Sequence, residues 1–191
     1  VAGGVTSVCV PPDTNPVIDT PAMVHMVRQR GRRIEKARVY PLGALTIGLK
    51  GEQLTDMATL RDAGCTALSN VDHSIDNTLV MRRAMQYAST FDLTVFLTAL
   101  DPWLKGNGCV HEGEVSTRLG LPAIPAAAEV VALARELALI ETTGTRGYIT
   151  QLSCARSVSK IGEAKARGLN VTAGVSAHHL HLSEQDIGEF D

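Results

Sequence analysis

The sequence predicts an α/β fold in which short parallel strands alternate with helices. About six β-branched or apolar segments alternate with helical patterns, each segment except the last preceding one, and glycine or proline marks most of the boundaries. Repeated strand–helix units imply parallel strands joined by right-handed crossovers. Two architectures fit this order: an open doubly wound sheet and part of a (β/α)8 barrel.

Length and motifs narrow the choice between these architectures. The chain has 191 residues, of which 45% are hydrophobic, and this predicts a single globular domain over residues 1–191. A complete barrel typically needs about 250 residues, so a barrel would make the chain a fragment. No Gly-x-Gly-x-x-Gly follows the first predicted strand, and no phosphate-binding Gly-x-x-x-x-Gly-Lys motif occurs. A nucleotide-binding sheet is therefore disfavoured.

Cap residues define the first two strand–helix units. Strands are predicted at 5–10 and 38–42. Thr20 and Pro21 are typical of an N-cap and the first helical position, and Gly31 is expected to end that helix. The second helix has an apolar face and a terminal glycine, formed by Leu54, Met57, Leu60 and Gly64.

The middle of the chain continues the alternation. Strands are predicted at 66–69 and 94–100. Residues 94–100 are nearly all apolar or β-branched, which indicates a strand buried on both faces. Between these strands, an apolar stripe at helical spacing is formed by Val80, Ala84, Tyr87, Ala88 and Phe91.

A long irregular segment is predicted at 101–125, which is rich in glycine and proline. Trp103 in this segment is expected to be buried in its own domain, with exposure at a partner interface as the alternative. The remaining elements are a helix from about 126 to 142 closed by Gly144, a strand at 147–153, a helix ended by Gly168 and a strand at 169–176.

Charge and hydropathy argue against nucleic-acid and membrane partners. Lys and Arg number 18 against 20 Asp and Glu, and we expect no basic stripe that could neutralise phosphates. No apolar run approaches the roughly 18–20 residues that span a bilayer. The four cysteines are scattered and are expected to be small buried thiols in a reducing cytoplasm, and no secretory leader pattern opens the chain. We expect a cytoplasmic protein.

Four strings occur along the chain in the order of one enzyme family. They are 8–17 with its Asp-Thr-Asn-Pro-Val turn, 40–46 with Gly51-Glu52, 111–113 with 119–125 and 128–129, and 164–173 with His-His-Leu at 178–180. They resemble the M-P-N-T-N-P-V, Y-P-x-G-A-x-T…G-E, H-E-G…L-G-x-x-G-I-P and A-K-x-x-G-x-x-V-T-A…H-H-L motifs of the dihydroorotases. These enzymes belong to the amidohydrolase superfamily, and the likeness is to their bacterial type with a compact metal site.

The resemblance implies a partial (β/α)8 TIM barrel of the metal-dependent hydrolase type, with barrel strands two to seven present and the first and eighth missing. The family uses zinc to activate water for opening or closing a cyclic amide. Its ligands are an H-x-H on the first strand and further His and Asp residues after the fourth, fifth, sixth and eighth strands. Only the positions after strands four to six fall within this chain.

At those positions the expected ligands are replaced. The S-D-D-G motif aligns with 69–72 and places Asn70 and Val71 at the two carboxylate positions. Thr98 stands for the fifth-strand His, and Gln151 stands for a sixth-strand His. Asp13 replaces the substrate-contacting Asn of the N-T-N-P turn. Amide, hydroxyl and alkyl groups are poor zinc ligands, so we expect no catalytic, substrate-binding or metal-binding residue and no cofactor.

Other polar residues offer weaker alternatives. His73 beside Asp72 could bind a metal in a displaced site, but a hydrated loop histidine is favoured. Asp101 and Glu129 are the carboxylates most expected to face the old pocket, without a sign that they converge. For the other candidates we favour roles without chemistry. His178, His179 and His181 are expected to pack in a helix or loop, and His25 and Lys165 are expected to be an ordinary helix residue and a solvated one. Ser153-Cys154 is not expected to form a nucleophile elbow.

Two functions from different classes remain open. Some bacteria keep a dihydroorotase-like chain without zinc ligands as a non-catalytic partner of aspartate transcarbamoylase, and the losses resemble that pseudoenzyme. The resemblance then implies homo- and hetero-oligomers with the transcarbamoylase catalytic chain, in pyrimidine biosynthesis. The alternative is an active zinc-dependent dihydroorotase whose ligands have moved. A ligand-binding module that uses the vestigial pocket is a third possibility.

Overall fold

The computed structural model describes residues 3–188 and contains one curled, six-stranded parallel sheet. The strands in chain order are β1 (Ser7–Val10), β2 (Arg38–Ala44), β3 (Ala67–Ser69), β4 (Thr94–Thr98), β5 (Val110–His111), β6 (Ala123–Ile124), β7 (Gly147–Thr150) and β8 (Val171–Ala173). The main sheet has the order β1-β2-β3-β4-β7-β8, with every neighbouring pair parallel, whereas β5 and β6 pair separately. The predicted α/β class with six parallel strands is confirmed.

Helices connect the strands of the sheet and cover its outer face. They are α1 (Pro21–Ile34), α2 (Met57–Ala63), α3 (Thr78–Thr90), α4 (Pro102–Lys105), α5 (Glu114–Leu119), α6 (Ala126–Thr143) and α7 (Ala155–Ala166). Three short 3-10 helices lie at Ile47–Leu49, His178–Leu180 and Glu184–Ile187. The core lies between helices and sheet, where Leu60, Met85, Leu133 and Ile149 are fully buried. Within residues 3–188, no helix has the length and apolar character needed to cross a membrane.

The opposite face of the sheet is only partly covered. Along β4, Val95 and Leu97 are buried against the helices, whereas Phe96 and Thr98 alternate with them and are half-buried. The Phe96 ring lies 4.7 Å from the Tyr148 ring of β7 on this inner face. The predicted burial of this strand on both faces is therefore wrong, because helices pack on one face alone.

The sheet ends at two free edges. β1 and β8 are its outermost strands, and within the described part of the chain they do not pair with each other. Ser7, Val8 and Cys9 of β1 are exposed. The expectation that these six strands alone do not close a barrel is confirmed.

Gly31 does not end the first helix as predicted. α1 continues to Ile34, and Glu35 adopts the left-handed conformation of its C-cap with φ 50°. Gly31 is buried, and a Cβ placed on it would lie 2.6 Å from Cβ of Val39 on β2. The glycine serves a close approach between helix and strand.

The segment 101–125 is more ordered than predicted. It contains α4, β5, α5 and β6, because its two strands pair with each other as Val110↔Ala123 and His111↔Ile124. Trp103 lies on α4 with 84% of its surface exposed. The expected burial of Trp103 is wrong, since the short α4 turns this side chain away from the core.

The cysteines also differ from expectation. Cys9 and Cys109 are exposed, Cys154 is half-buried and Cys65 is buried, and all four are free thiols. Burial raises the pKa of the Cys65 thiol to about 12, although the nearby Arg28 lowers it somewhat. Only Cys65 fits the predicted inert core thiol.

Candidate functional site

The carboxyl ends of β3, β4 and β7 bring the degenerate ligand positions to one edge of the sheet. Ser69 aligns with Phe96, and Thr98 aligns with Thr150, in the parallel register. Ligand sites in such sheets lie at this edge because all the strands end there. The positions that the sequence singles out after these three strands therefore lie at the edge where folds of this kind carry their sites.

The side chain of Asn70 is hydrogen-bonded to the loops around it. Its side chain is buried, its Oδ1 accepts a 2.8 Å hydrogen bond from the Thr46 hydroxyl, and its Nδ2 donates to the carbonyls of Leu49 and His73 at 3.3 and 2.9 Å. The amide fastens the loop after β3 to the loop after β2. Because both polar atoms are engaged, Asn70 fits a structural role.

Thr98 is likewise engaged with a neighbouring strand. The hydroxyls of Thr98 and Thr150 lie 3.3 Å apart, and Thr150 donates to the carbonyl of Leu97 at 3.2 Å. Thr98 can therefore donate to the Thr150 oxygen in a short chain of hydrogen bonds. Thr98, which the motif alignment equates with a family histidine, thus carries a neutral hydroxyl.

Val71 and Gln151 share an unusual backbone conformation. Each has φ of 52°, in the left-handed region that β-branched residues avoid. The Val71 N–H donates to the Ser69 hydroxyl at 3.0 Å, which helps hold the turn. Gln151 is exposed at the end of β7. Strained residues follow both strands at this edge, a pattern common at present or former active sites.

The residues at the positions aligned with family ligands line two different cavities. Thr98 and Gln151 line an open cleft of about 990 Å³, whereas Asn70 and Val71 line a smaller cavity of about 230 Å³, which Thr98 also borders. Asp13 is exposed in the turn after β1 and lines neither cavity. The structure therefore does not bring all five positions into one site.

The donor set at these positions does not fit a zinc ion. It consists of an engaged amide, a valine, a threonine hydroxyl and an exposed amide, without an imidazole, thiolate or carboxylate. Among residues 3–188, no group of three or more His, Cys, Asp or Glu side chains is placed to hold a metal ion. Zinc chemistry through these residues is not supported by their arrangement.

The histidines of the alternative interpretations are exposed, although His73 lines the smaller cavity and His178 and His179 line the larger cleft. His25 is exposed on α1 and His73 is exposed in the loop after β3, with its carbonyl bonded to Asn70. His178 and His179 form an exposed 3-10 turn at the mouth of the larger cleft. His181 is exposed just beyond that turn.

Glu129 is the buried carboxylate of the larger cleft. Its Oε2 accepts hydrogen bonds from the Ser153 amide at 2.9 Å and the Ser153 hydroxyl at 2.6 Å, and its Oε1 accepts one from the Cys154 amide at 3.2 Å. Burial raises the pKa of Glu129, but hydrogen bonds from Ser153, Ser157 and Cys154 outweigh burial, and the net pKa lies below its usual value. The carboxylate thus anchors the N-terminus of α7 as an anion.

Asp101 does not join Glu129. Asp101 Oδ1 accepts hydrogen bonds from the amides of Trp103 and Leu104 at 3.0 and 2.9 Å, and so caps α4. Glu129 lines the larger cleft as expected, whereas Asp101 is not among its lining residues. Each carboxylate holds a different helix, so they do not form an acid–base pair.

An ion pair on α6 is the polar feature that the sequence analysis missed. Glu136 is only 2% exposed, and its Oε1 accepts a 2.7 Å hydrogen bond from Arg135. Burial raises the pKa of Glu136, and Arg135 offsets only part of that effect. Glu136 lines the smaller cavity, and its Oε2 has no hydrogen-bond partner among residues 3–188. Its position, four residues after the buried Ala132 and four before the buried Ile140, is the sequence signal that could have revealed it.

Fold and site together define a class of protein. A curled parallel sheet of six strands with helices on its outer face corresponds to part of a (β/α)8 barrel. The chain belongs to the dihydroorotase-like family, whose family model, described as "Dihydro-orotase-like", matches residues 1–157.

Similar proteins support this membership along the whole chain. A "Dihydroorotase-like protein" of Pseudomonas aeruginosa is 47% identical over 189 residues, covering 99% of this chain and 45% of the relative. A "Dihydroorotase" of Anaeromyxobacter sp. strain K is 44% identical over 188 residues, covering 98% of this chain and 43% of the relative. The chain thus spans less than half the length of these curated relatives.

Solved structures confirm the fold. The L-hydantoinase (dihydropyrimidinase) from Arthrobacter aurescens superposes with a TM-score of 0.75 at 18% identity, covering 96% of this chain and 42% of that one. The dihydropyrimidinase from Brevibacillus agri gives a TM-score of 0.69 at 18% identity, with coverages of 97% and 42%. At this identity the likeness concerns the fold alone.

Proposed function

We propose that this chain is part of a catalytically inactive dihydroorotase-like protein of pyrimidine biosynthesis, which serves as a structural partner of the aspartate transcarbamoylase catalytic chain. The observation that carries the proposal is the donor set at the carboxyl edge of the sheet. Asn70, Val71, Thr98 and Gln151 offer amides, an alkyl group and a hydroxyl where a zinc hydrolase needs charged or imidazole ligands.

The contacts of these residues support the same conclusion. Asn70 is fastened to neighbouring loops and Thr98 to Thr150, so both side chains already have hydrogen-bond partners within the fold. Without a Lewis acid, the pKa of water stays far above neutrality and the amide carbonyl is not polarised. Hydrolysis of a cyclic amide has no catalyst among these residues.

The integrity of the fold supports a role that is not catalytic. The core between sheet and helices is continuous, with Leu68, Met85, Leu133 and Ile149 fully buried. A fold that is kept while its catalytic positions are replaced is consistent with binding another protein.

A specific observation favours a second candidate, an active dihydroorotase with displaced ligands. Relatives at 44% identity carry the plain name "Dihydroorotase". In addition, His111, His178 and Glu184 all border the larger cleft. Hydrolysis of dihydroorotate by the full-length protein, abolished by a chelator, would establish this candidate. We expect turnover no higher than in a protein-free blank.

Co-expression tests the proposed partnership. The full-length protein and the aspartate transcarbamoylase catalytic chain of the same organism are produced together and separated by size exclusion. We expect one complex that contains both chains, and loss of transferase assembly or activity when the dihydroorotase-like protein is omitted. A fully assembled and active transferase without it, and separate elution at micromolar concentrations, would refute the partnership.

A further inference from the structure

The chain concentrates positive charge in one short segment. Residues 28–38 contain six of the 18 Lys and Arg residues of the chain and a single acidic residue, Glu35. The segment therefore carries a net charge of +5 in a chain whose net charge is -2, so the rest of this chain is net acidic. The expectation that the sequence has no basic stripe is wrong, because an overall balance conceals a local cluster.

The structure places this cluster on the surface. The six cations form what we call the basic surface, at the C-terminal half of α1 and the start of β2: Arg28, Arg30, Arg32, Arg33, Lys36 and Arg38. All except Arg28 are exposed, and Arg28 is half-buried with its guanidinium bonded to the Ala63 carbonyl at 2.8 Å. Within residues 3–188, none of the ion pairs involves a member of this surface.

Like charges without counter-ions are unfavourable in the free protein. Six cations within one helix end and the adjoining strand repel one another, although Arg32 and Arg33 also interact favourably with the C-terminal end of the α1 dipole. Capping a helix needs one or two cations, and here six are grouped. The excess positive charge is available to an anionic partner.

The shape of the basic surface suits an extended chain. Two hollows with volumes of about 450 and 770 Å³ border α1, and Arg28 and Arg32 line both. The larger hollow also contacts Val39, Tyr40 and Pro41, so apolar area lies next to the charges. Ile34, in the centre of the cluster, is 64% exposed.

We propose that the basic surface docks an acidic segment of a protein partner, with carboxylates on the arginines and apolar side chains in the hollow beside β2. Planar guanidinium groups bind carboxylates in a bidentate manner, and arginine is enriched at protein interfaces. The proposal goes beyond the function proposed above, since it does not depend on which protein supplies the acidic segment.

Two observations favour a protein over a nucleic acid. The rest of the chain is net acidic, so a long polyanion that extended past the basic surface would be repelled. Apolar side chains such as Ile34 lie among the cations, and phosphates would leave them uncovered. A short acidic peptide meets both conditions, because it needs only the length of the hollow.

Charge reversal tests the proposal in the full-length protein. A fluorescein-labelled ten-residue peptide of eight glutamates and two leucines is titrated with wild type and with the double variant Arg32→Glu/Arg33→Glu, and binding is followed by anisotropy. We expect the wild type to bind the peptide, more weakly as salt rises, and the variant to bind at least about tenfold more weakly.

A matched pair of arginines provides the control. Arg82 and Arg83 are also adjacent, exposed and helical, on α3, and among the described residues they join no ion pair. Arg82→Glu/Arg83→Glu changes the net charge equally and should retain wild-type binding within about twofold. Arg32→Gln/Arg33→Gln, which avoids a clash with the helix dipole, should lose binding while keeping the melting temperature of the wild type within about 2 °C.

Three results would overturn the proposal. The first is that the wild type does not bind the peptide, and the second is that Arg32→Glu/Arg33→Glu and Arg82→Glu/Arg83→Glu lose equal affinity. The third is that a ten-nucleotide oligothymidylate binds the same arginines more tightly than the peptide. The last result would assign the basic surface to phosphates. Each result is independent of the transcarbamoylase co-expression, so failure of one proposal is distinguishable from failure of the other.

Discussion

Val71, which follows β3, is held in a backbone conformation that costs the fold stability. Its φ of 52° is unfavourable for any residue with a Cβ by about 1–2 kcal/mol, and more so for a branched one. We predict that Val71→Gly is more stable than Val71→Ala by about 1 kcal/mol, because both lose the valine side chain but only glycine relieves the strain. Urea unfolding of the two variants measures the difference.

At an ordinary helical site, the stability difference between the glycine and alanine variants should have the opposite sign. Val158 on α7 is 56% exposed, and Val158→Gly should be less stable than Val158→Ala by about 1 kcal/mol. If alanine is also the more stable residue at position 71, the left-handed conformation of that turn is not a source of strain.

Glu129 links protonation to stability. Its three hydrogen bonds to Ser153 and Cys154 favour the carboxylate, and Glu129→Gln replaces one acceptor oxygen with an amide donor that repels a backbone N–H. We predict a loss of about 1.5–3 kcal/mol at pH 7, measured by urea unfolding. Glu141→Gln, at an exposed site on the same helix, should change stability by less than about 0.5 kcal/mol.

The pH dependence of this loss has a defined sign. Because folding lowers the pKa of Glu129 below its ordinary value of 4.5, the stability it contributes is fully present above pH 4.5. That contribution disappears as the pH falls through the lower pKa of the folded state. The gap between wild type and Glu129→Gln should therefore shrink below pH 4.5, and a gap that widened there would contradict the assignment.

At the element scale, Gly31 sets the distance between α1 and β2. A Cβ at this position would lie 2.6 Å from Cβ and 2.7 Å from Cγ2 of Val39. We predict that Gly31→Ala destabilises the protein by about 1–3 kcal/mol through overpacking, despite the higher helix propensity of alanine. Thermal unfolding of the variant measures the loss.

A second glycine in a helix controls for propensity. Gly162 lies on α7, and a Cβ added there would have no other atom within 4 Å, so Gly162→Ala should stabilise by about 0.5–1 kcal/mol. Val39→Ala removes the clashing methyl groups and should recover part of the Gly31→Ala loss. If the stability losses of Gly31→Ala and Val39→Ala simply add in the double variant, the two residues are not in steric conflict.

The sequence predictions succeed where local interactions fix the structure and fail where contacts between distant residues fix it. Gly64 and Gly144 end helices as predicted and adopt left-handed backbone angles, because a helix terminus is fixed by local chemistry. The prediction for Gly31 is wrong because its role depends on Val39, a residue of the next strand. The pairing of β5 with β6 escapes sequence analysis for a related reason, since two-residue strands have no periodicity to detect.

The sequence predicts which residues stand at the candidate site, but it does not predict their hydrogen bonds or burial. The replacements at Thr98 and Gln151 can be recognised from aligned motifs. The hydrogen bond between Thr98 and Thr150 depends on strand register, and the burial of Glu136 depends on how α6 packs. Neither depends on the local sequence alone, which explains why the sequence does not reveal them.

At the scale of the whole molecule, an open half-barrel carries, on our proposal, a carboxyl edge without zinc ligands. The inner face of the sheet carries half-buried side chains such as Phe96 and Tyr148, and the sheet ends at β1 and β8. The carboxyl edge of the same sheet carries amides, hydroxyls and an alkyl group where the family places zinc ligands. The basic surface lies on α1 and the start of β2, and we propose it as the docking site of an acidic partner segment.

Zinc stoichiometry of the full-length protein tests the central claim most directly. The protein is expressed in medium supplemented with zinc, purified without chelators and measured by elemental analysis, beside a dihydroorotase that retains its His and Asp ligands. We predict zinc far below one ion per chain in this protein and at least about one ion per chain in the control. About one tightly bound zinc per chain here, removed together with dihydroorotate hydrolysis by a chelator, would contradict the claim.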